Sequence, residues 1–414
     1  MRLLTFIGVG HYQPTAYTWW DQEFVSAYAP VATCHFLKPD AVTVFVTEKA
    51  QEEIYPAFEA SLAPGLNVQR VPVPLGQNEA ELWDIFGRVS GAVKPGEEVA
   101  FDITHGLRSF PLLGLLVAAF LRAGLGMPLR AVMYGAFDVR DQSVTPNRTP
   151  MFDLSPMLEL LEWAVAADRY NKTGDARFLA SLLNTQRKLM ALAAGDDKAR
   201  LVEAGAVGGL ADALTEVSQS LRLIRPYRAM ERVAHLPHRI RQARPVLERG
   251  GAASPFGLLL ESVERSFLPL GLETPASSRR VAESLRRQRV MIGWYIEREQ
   301  LVQAVTLMRE WLVSWVMVQF GYLDCLDRDE RTHAEEALNV DAHAMIRAKT
   351  AGRPFAPVAL AAISQAEPLA KLWANVIDIR NDLDHAGMRR SPGKPEDLIA
   401  SIKECVEHLD SLPV

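Results

Sequence analysis

Asp102-Ile103-Thr104-His105-Gly106-Leu107-Arg108-Ser109-Phe110-Pro111 is the stretch where a strand stops and a helix begins. Upstream, Val99-Ala100-Phe101 is a short apolar run of the kind a buried strand shows. Downstream, residues 111–121 are almost continuously apolar and read as a helix buried on most sides. In an open α/β sheet such a turn lies at the carboxyl edge of the strands, where ligands bind, and the amides of the helix N-terminus favour anions. Thr104, His105, Arg108 and Ser109 add hydroxyls, an imidazole and a guanidinium to that edge. The same residue types also suit a plain capped connection in which Asp102 and Thr104 satisfy backbone amides, so the turn by itself leaves both readings open.

Outward from this turn, residues 3–9, 41–47, 68–74, 98–103 and 130–135 are short β-branched runs, and helical patterns such as Glu48–Leu62 and Glu79–Val93 separate most of them. The alternation predicts a mainly parallel sheet with helices on both faces. The first strand ends in Gly8-Val9-Gly10-His11-Tyr12, a second glycine-bearing turn at the same edge. A dinucleotide fingerprint would need a third glycine where Gln13 stands, and there is no Walker A sequence. Two amide-rich turns without a cofactor fingerprint indicate an unusual nucleotide rather than NAD or ATP.

From Leu154 onward strand patterns disappear. Residues 175–192, 198–223, 276–292, 296–320 and 357–383 are the clearest helices, with turn-rich breaks at 195–197, 250–255 and 391–395. This half reads as an all-α bundle with its own core, in which Met308, Trp311, Trp315 and Phe320 are packing residues. The fold class is therefore α/β plus all-α.

A chain of 414 residues exceeds what one hydrophobic core usually holds. Cys34, Cys325 and Cys405 are far apart and have no metal-ligand spacing, which fits a reducing cytoplasm. The N-terminus lacks a signal-peptide pattern, and the apolar run near Leu112–Leu121 is shorter than a membrane span, so no membrane association is expected. The net charge of -5 is unevenly spread. Residues 222–298 hold fifteen arginines, no lysine and seven glutamates. Such arginines either line a path for nucleic acid or decorate solvated helix faces and pair with glutamates, as Arg286 and Arg287 can with Glu283.

The chemical candidate in the second half is Arg380-Asn381-Asp382-Leu383-Asp384-His385. Arginine at a developing phosphorane and histidine as proton carrier suit phosphodiester cleavage, and no metal is needed when the RNA 2′-hydroxyl is the nucleophile. Five residues along a helix rotate the two side chains about 140° apart. They converge if the helix frays near His385 or if the pair acts with its symmetry copy. The bland reading is a histidine stabilised at a helix C-terminus. Arg328 and His333 repeat the spacing inside a charged connection and are read as a decoy. His235 and His238, without acidic or thiol partners at ligand spacing, are weak metal candidates.

Residues 5–17, Asn78–Phe86, Asp102–Pro111, Tyr134-Gly135 and the stretch from Asp153 to Asp175 resemble the CARF sensor domain, and its junction, of the CRISPR-associated DxTHG family; Asp102-Ile103-Thr104-His105-Gly106 fills the naming motif at every position. Arg380-Asn381 with His385 is similar to that family's HEPN ribonuclease motif, and residues 307–313 look like its upstream helix. The resemblance implies a sensor domain over 1–153, a linking or inserted helical region over 154–294 and a HEPN-like ribonuclease over 295–414. It implies a type III CRISPR endoribonuclease, activated by a cyclic oligoadenylate bound across a homodimer axis or in a higher assembly of dimers. The tetramer ring is the first expectation and the hexamer the second. Ligand contacts would come from Gly8, Val9, Gly10, His11, Tyr12, Thr104, His105, Gly106, Leu107, Arg108 and Ser109. Catalysis on single-stranded RNA would fall to Arg380, Asn381 and His385, with no cofactor and no metal. Slow cleavage of the activator at Thr104 or His105 stays open. The rival reading is a ligand-responsive transcription regulator that holds DNA with the arginine-rich helices, although no helix-turn-helix signature is present.

Overall fold

The computed structural model describes residues 1–249, 253–388 and 392–414. Parts of the turn-rich breaks expected at 250–255 and 391–395 lie outside the described residues. The chain forms two compact units, 1–164 and 165–414.

In the first unit the elements are β1 (Arg2–Ile7), β2 (Thr15–Trp19), β3 (Gln22–Ser26), α1 (Ala29–Leu37), β4 (Ala41–Val46), α2 (Glu48–Glu53), α3 (Tyr55–Ala60), β5 (Asn67–Pro72), α4 (Glu79–Gly91), β6 (Val99–Asp102), α5 (Ser109–Leu125), β7 (Leu129–Gly135), β8 (Arg148–Asp153) and α6 (Ser155–Thr173), the last of which runs on into the second unit. One eight-stranded sheet has the order β3-β2-β8-β7-β6-β1-β4-β5. The five strands legible in the sequence make its parallel block, β7-β6-β1-β4-β5. Three strands not foreseen extend it: β8 antiparallel to β7, β2 parallel to β8, and β3 antiparallel to β2. Pro150 sits inside β8, a residue that argues against a strand when only the sequence is read.

Side chains alternate across the block as strand period two requires. Leu4, Phe6 and Phe101 pack with Phe110, Val117 and Leu121 of α5 on one face. Leu3, Ile7, Val42, Val44 and Val46 pack with Phe58 of α3 on the other. Two expectations need correction. The helix expected over 48–62 is two helices that meet at Ile54, with Pro56 in the first turn of the second, where a missing N–H does no harm. Helix α5 is not buried on most sides: Leu112, Leu116 and Phe120, spaced four apart on one stripe, are 60%, 48% and 46% exposed.

The second unit is helical: α7 (Arg177–Ala194), α8 (Lys198–Arg222), α9 (Pro226–Glu248), α10 (Ser254–Gly257), α11 (Leu260–Phe267), α12 (Val281–Glu297), α13 (Leu301–Gln319), α14 (Arg328–Thr350), α15 (Ala366–Asp384) and α16 (Pro395–Asp410). Helix α13 is long and apolar enough to cross a membrane, contrary to the expectation drawn from the run at Leu112–Leu121. Most of its surface is buried inside the unit, as in the core helix of a bundle. Trp311 and Trp315 are fully packed there, as expected, and donate to the carbonyls of Leu285 and Pro413. The helix expected over 357–383 starts only at Ala366. The buried Asp341 carboxylate of α14 accepts from the backbone amides of Val358, Ala359 and Leu360, which ties 358–360 into an irregular cradle instead of a helical turn. The Arg328-to-His333 stretch is not a connection but the opening of α14, capped by the Asp327 side chain.

Candidate functional site

Parallel pairing of β1 with both β4 and β6 places the direction switch of the sheet between β1 and β6. Crossovers leave to one side through β4 and β5 and to the other through β6 and β7, so the loops after β1 and β6 open a crevice at their carboxyl ends. Those loops are Gly8–Tyr12 and Ile103–Arg108. They touch backbone to backbone: a Cβ on Gly8 would lie 3.0 Å from Gly106 Cα. Gly106 itself has φ +113, and a Cβ there would meet the Phe110 side chain at 3.0 Å.

A cavity of about 270 Å³ opens between the turns. Of the sequence-derived candidates, Val9, Gly10, His11, Tyr12, Thr104, His105 and Gly106 line it; Gly8 supports it from behind, and Leu107 and Arg108 are exposed outside its lining, with Ser109 opening α5. Sequence reading of the turns missed the contribution of Gln13, Tyr17, Phe137 and Asp138, because β2 and the segment after β7 reach this edge only through the sheet order. Helix α5 begins without a side-chain cap, which leaves its first amides free of a side-chain acceptor.

The Asp102, Thr104 and His105 side chains are spent on holding the turn against its neighbours. Asp102 is fully buried; its carboxylate accepts from the Thr33 hydroxyl of α1 and from the Thr104 amide at 3.0 Å. The Thr104 hydroxyl accepts from the Gly135 amide at 2.8 Å. His105 Nε2 accepts from the Ala29 amide at 3.0 Å, which makes Nε2 the unprotonated nitrogen, and its ring stands edge-on to Tyr12 at 4.8 Å. The Tyr12 hydroxyl donates to the Gly8 carbonyl at 2.6 Å and so closes the first turn on itself. The cavity lining adds His11, Gln13 and Asp138 to these engaged groups.

Burial pushes the Asp102 carboxyl up to about 6, and burial pushes the His105 imidazole down to about 4. The raised carboxyl contributes stability that is complete below its ordinary value of about 3.9 and is lost as pH rises through 6. The lowered imidazole contributes stability present above its ordinary 6.5 and lost as pH falls through 4. Between pH 6.5 and 4 the two oppose each other. Asp102→Asn should therefore expose the histidine term alone, so that unfolding free energy falls with acid by up to about 3 kcal/mol over that window while the parent stays flatter. Denaturant titrations at pH 4, 5 and 6.5 check this; equal pH profiles for parent and variant would contradict it.

In the second unit, Arg380 is exposed near the end of α15 and its Nε lies 2.7 Å from Asp384 Oδ2, with Nη1 at 3.4 Å from Asn381 Oδ1. His385 occupies the C-cap position, exposed, and its ring makes no hydrogen bond among the described residues. Asp382, buried on the inner side, accepts from the Gly393 amide and so anchors the chain leading to α16. The pair thus sits at a helix end, as expected, with Asp384 rather than His385 beside the guanidinium. Gly387 was expected to stop the helix; the first left-handed residue is Ala386, at φ +52. A left-handed alanine is strained by about 1–2 kcal/mol, so Ala386→Gly should stabilise the unit by about 1 kcal/mol, read as a higher Tm.

His333 packs its ring on Phe320 and meets the Tyr322 hydroxyl at 3.0 Å through Nδ1, an arrangement that serves packing at the start of α14. His235 and His238 stand exposed on α9, and no group of three or more His, Cys, Asp and Glu side chains comes together among the described residues.

Sheet order, switch point and cavity define the first unit as a Rossmann-like α/β domain with a ligand-type crevice, joined in one chain to an all-α unit. No family model matches the chain. Over 122 residues it is 30% identical to the CRISPR-associated protein MJ1674 of Methanocaldococcus jannaschii, a match that covers 29% of this chain and 19% of that protein. The chain thus spans about a fifth of the curated relative. Enterococcus italicus Csm6 bound to cyclic hexa-2′-fluoro-hexa-dAMP superposes over 99% of this chain and 92% of its own, with a TM-score of 0.44 and 11% identity.

Proposed function

We propose that the chain is a cyclic-oligoadenylate-activated, metal-independent endoribonuclease of type III CRISPR defence, which acts in the cytoplasm as a homodimer. The observation that carries the reading is the convergence of the Gly8–Tyr12 and Thr104–Gly106 turns on one cavity at the switch point of a parallel sheet. The Arg-Asn-x-x-x-His set exposed at the end of α15 and the CRISPR-associated relative support it.

In this reading the 2′-oxygen of the RNA attacks the adjacent phosphorus and the 5′-oxygen leaves. The 2′-proton is lost, the leaving oxygen gains one, and His385 carries the proton between them. Arg380 stabilises the charge that builds on the phosphorane, and Asn381 orients it. One Arg380 and one His385 per chain, at a helix end, make a composite site from two copies of residues 378–387 the natural arrangement. A two-fold dimer presents each ligand-binding group twice, so an even ring sets equivalent phosphates against both copies; cyclic tetraadenylate is the first choice and the hexamer the second. Activation is a shift toward the dimer geometry in which the cleft is competent, and the ligand can drive it only as far as its preference for that geometry allows.

The test is to incubate the purified protein with single-stranded RNA and each cyclic oligoadenylate in EDTA. Cleavage should appear with the tetramer ring, persist in the chelator, and leave 2′,3′-cyclic phosphate and 5′-hydroxyl ends. Activity that vanishes with EDTA and returns with magnesium would remove the mechanism. No cleavage with any ring, together with ligand-dependent DNA binding, would establish the regulator reading instead.

A further inference from the structure

Helix α8 carries two adjacent glycines, Gly208 and Gly209, in its middle, where each costs about 1 kcal/mol relative to alanine. What they permit is specific. A Cβ on Gly208 would lie 2.3 Å from Arg187 Cδ, and one on Gly209 would lie 3.3 Å from Arg239 Nη1. Arg187 comes from α7 and Arg239 from α9, so two exposed cations from the flanking helices rest on the same bare stretch of α8.

The surrounding acids do not neutralise them. Glu216 pairs with Arg232 at 3.1 Å and Glu203 with Arg249 at 2.8 Å. Asp212, exposed one turn further on, makes no ion pair among the described residues, and neither do Arg187, Arg228 and Arg239. Arg228 and Arg239 are eleven residues apart on α9, a spacing that a regular helix returns to one face about 16 Å further along, with Pro237 between them. Arg187 and Arg239, on the helices that flank this glycine pair, thus have no ion-pair partner among the described residues, and an anion would complete the arrangement. The choice of cation agrees, since residues 222–298 use arginine throughout and no lysine, and arginine forks grip phosphate oxygens bidentately.

We infer that Arg187, Arg228 and Arg239 form a phosphodiester-binding track for the RNA strand on the α7–α8–α9 face. The inference rests on the RNA reading of the preceding subsection. This face lies in the region to which the sequence motifs assign no role.

The test uses the full chain carrying His385→Ala, so that RNA is bound without being cut, and a fluorescein-labelled oligouridylate of about 12 nucleotides long enough to span the track. Polarisation is followed between about 50 and 200 mM salt. Arg187→Gln with Arg239→Gln should weaken binding about tenfold or more and reduce the slope of log affinity against log salt by about 1.4, or about 0.7 for each lost phosphate contact. Glutamine keeps a long stem over the glycines, and an unchanged Tm verifies the fold. Arg279→Gln with Arg280→Gln, a second exposed pair without ion-pair partners, should leave the slope unchanged. Equal losses from both pairs, no loss from the first, or displacement of the RNA by millimolar inorganic phosphate at constant ionic strength would overturn the track. If the parent cuts RNA while the first pair binds normally, the track alone fails. If the first pair lowers the slope but the protein carrying His385 never cuts, the track stands and the ribonuclease reading fails.

Discussion

His385→Ala and Arg380→Ala should each abolish activated RNA cleavage while leaving activator binding unchanged. A positioned general acid–base contributes about 10²–10⁴-fold, and a charge-stabilising donor about 10²–10³-fold. Both side chains are exposed and make few contacts: among the described residues His385 has no side-chain hydrogen bond and Arg380 holds only Asp384 and Asn381. The fold should therefore tolerate either change, and loss of rate at unchanged Tm is the expected pattern. The same arginine–histidine spacing at Arg328 and His333 provides the control. His333 is engaged with Phe320 and Tyr322, so His333→Ala and Arg328→Ala should cleave at the parent rate at temperatures where both remain folded. Cleavage that survives the loss of His385, measured as initial rate on labelled RNA at saturating activator, would remove the proposed chemistry.

Gly174→Ala should be the most damaging single methyl in the helical unit. Gly174 follows α6 at φ +67, its amide donates to the Tyr170 carbonyl at 2.6 Å, and a Cβ would lie 2.1 Å from a ring carbon of Trp294. Left-handed strain and overlap with a buried indole act together, and about 4 kcal/mol is the expected cost. The indole cannot step aside: its Nε1 donates to the Ser266 hydroxyl and Arg298 stacks on its face at 4.2 Å. Denaturant unfolding checks the figure. Trp294→Leu should reduce the added cost of Gly174→Ala by at least about 1 kcal/mol, because the clash term disappears with the ring. A cost below about 1 kcal/mol in the parent would show that the turn relaxes.

Strand period and apolar runs were enough to find the five parallel strands and both turns of the crevice, since these are local properties of residues 3–9, 41–47, 68–74, 98–103 and 130–135. They were not enough for β2, β3 and β8. Strands β3 and β8 carry exposed positions and β8 a proline, and β2 and β8 are held by a pairing between residues as far apart as 16 and 148. The helix at 357–365 failed for a similar reason. Its residues are compatible with a helix, but the Asp341 carboxylate, brought in by α14, competes for three of its amides.

At the candidate sites the division is sharper. The amino-acid sequence alone determined which residue types stand at the sheet edge and at the end of α15, because the Asp102–Gly106 and Arg380–His385 patterns are short and contiguous. Only the tertiary structure decided what those groups are free to do. Asp102, Thr104 and His105 spend their hydrogen bonds on Thr33, Gly135 and Ala29, from elements remote in sequence. The arginines of 222–298 divide in the same way into those that meet a glutamate and those, like Arg239, that rest on the bare backbone of a glycine. A hydrogen bond or an ion pair depends on distances of a few ångströms between residues that no sequence spacing brings together, and the packing of the helices and strands sets those distances.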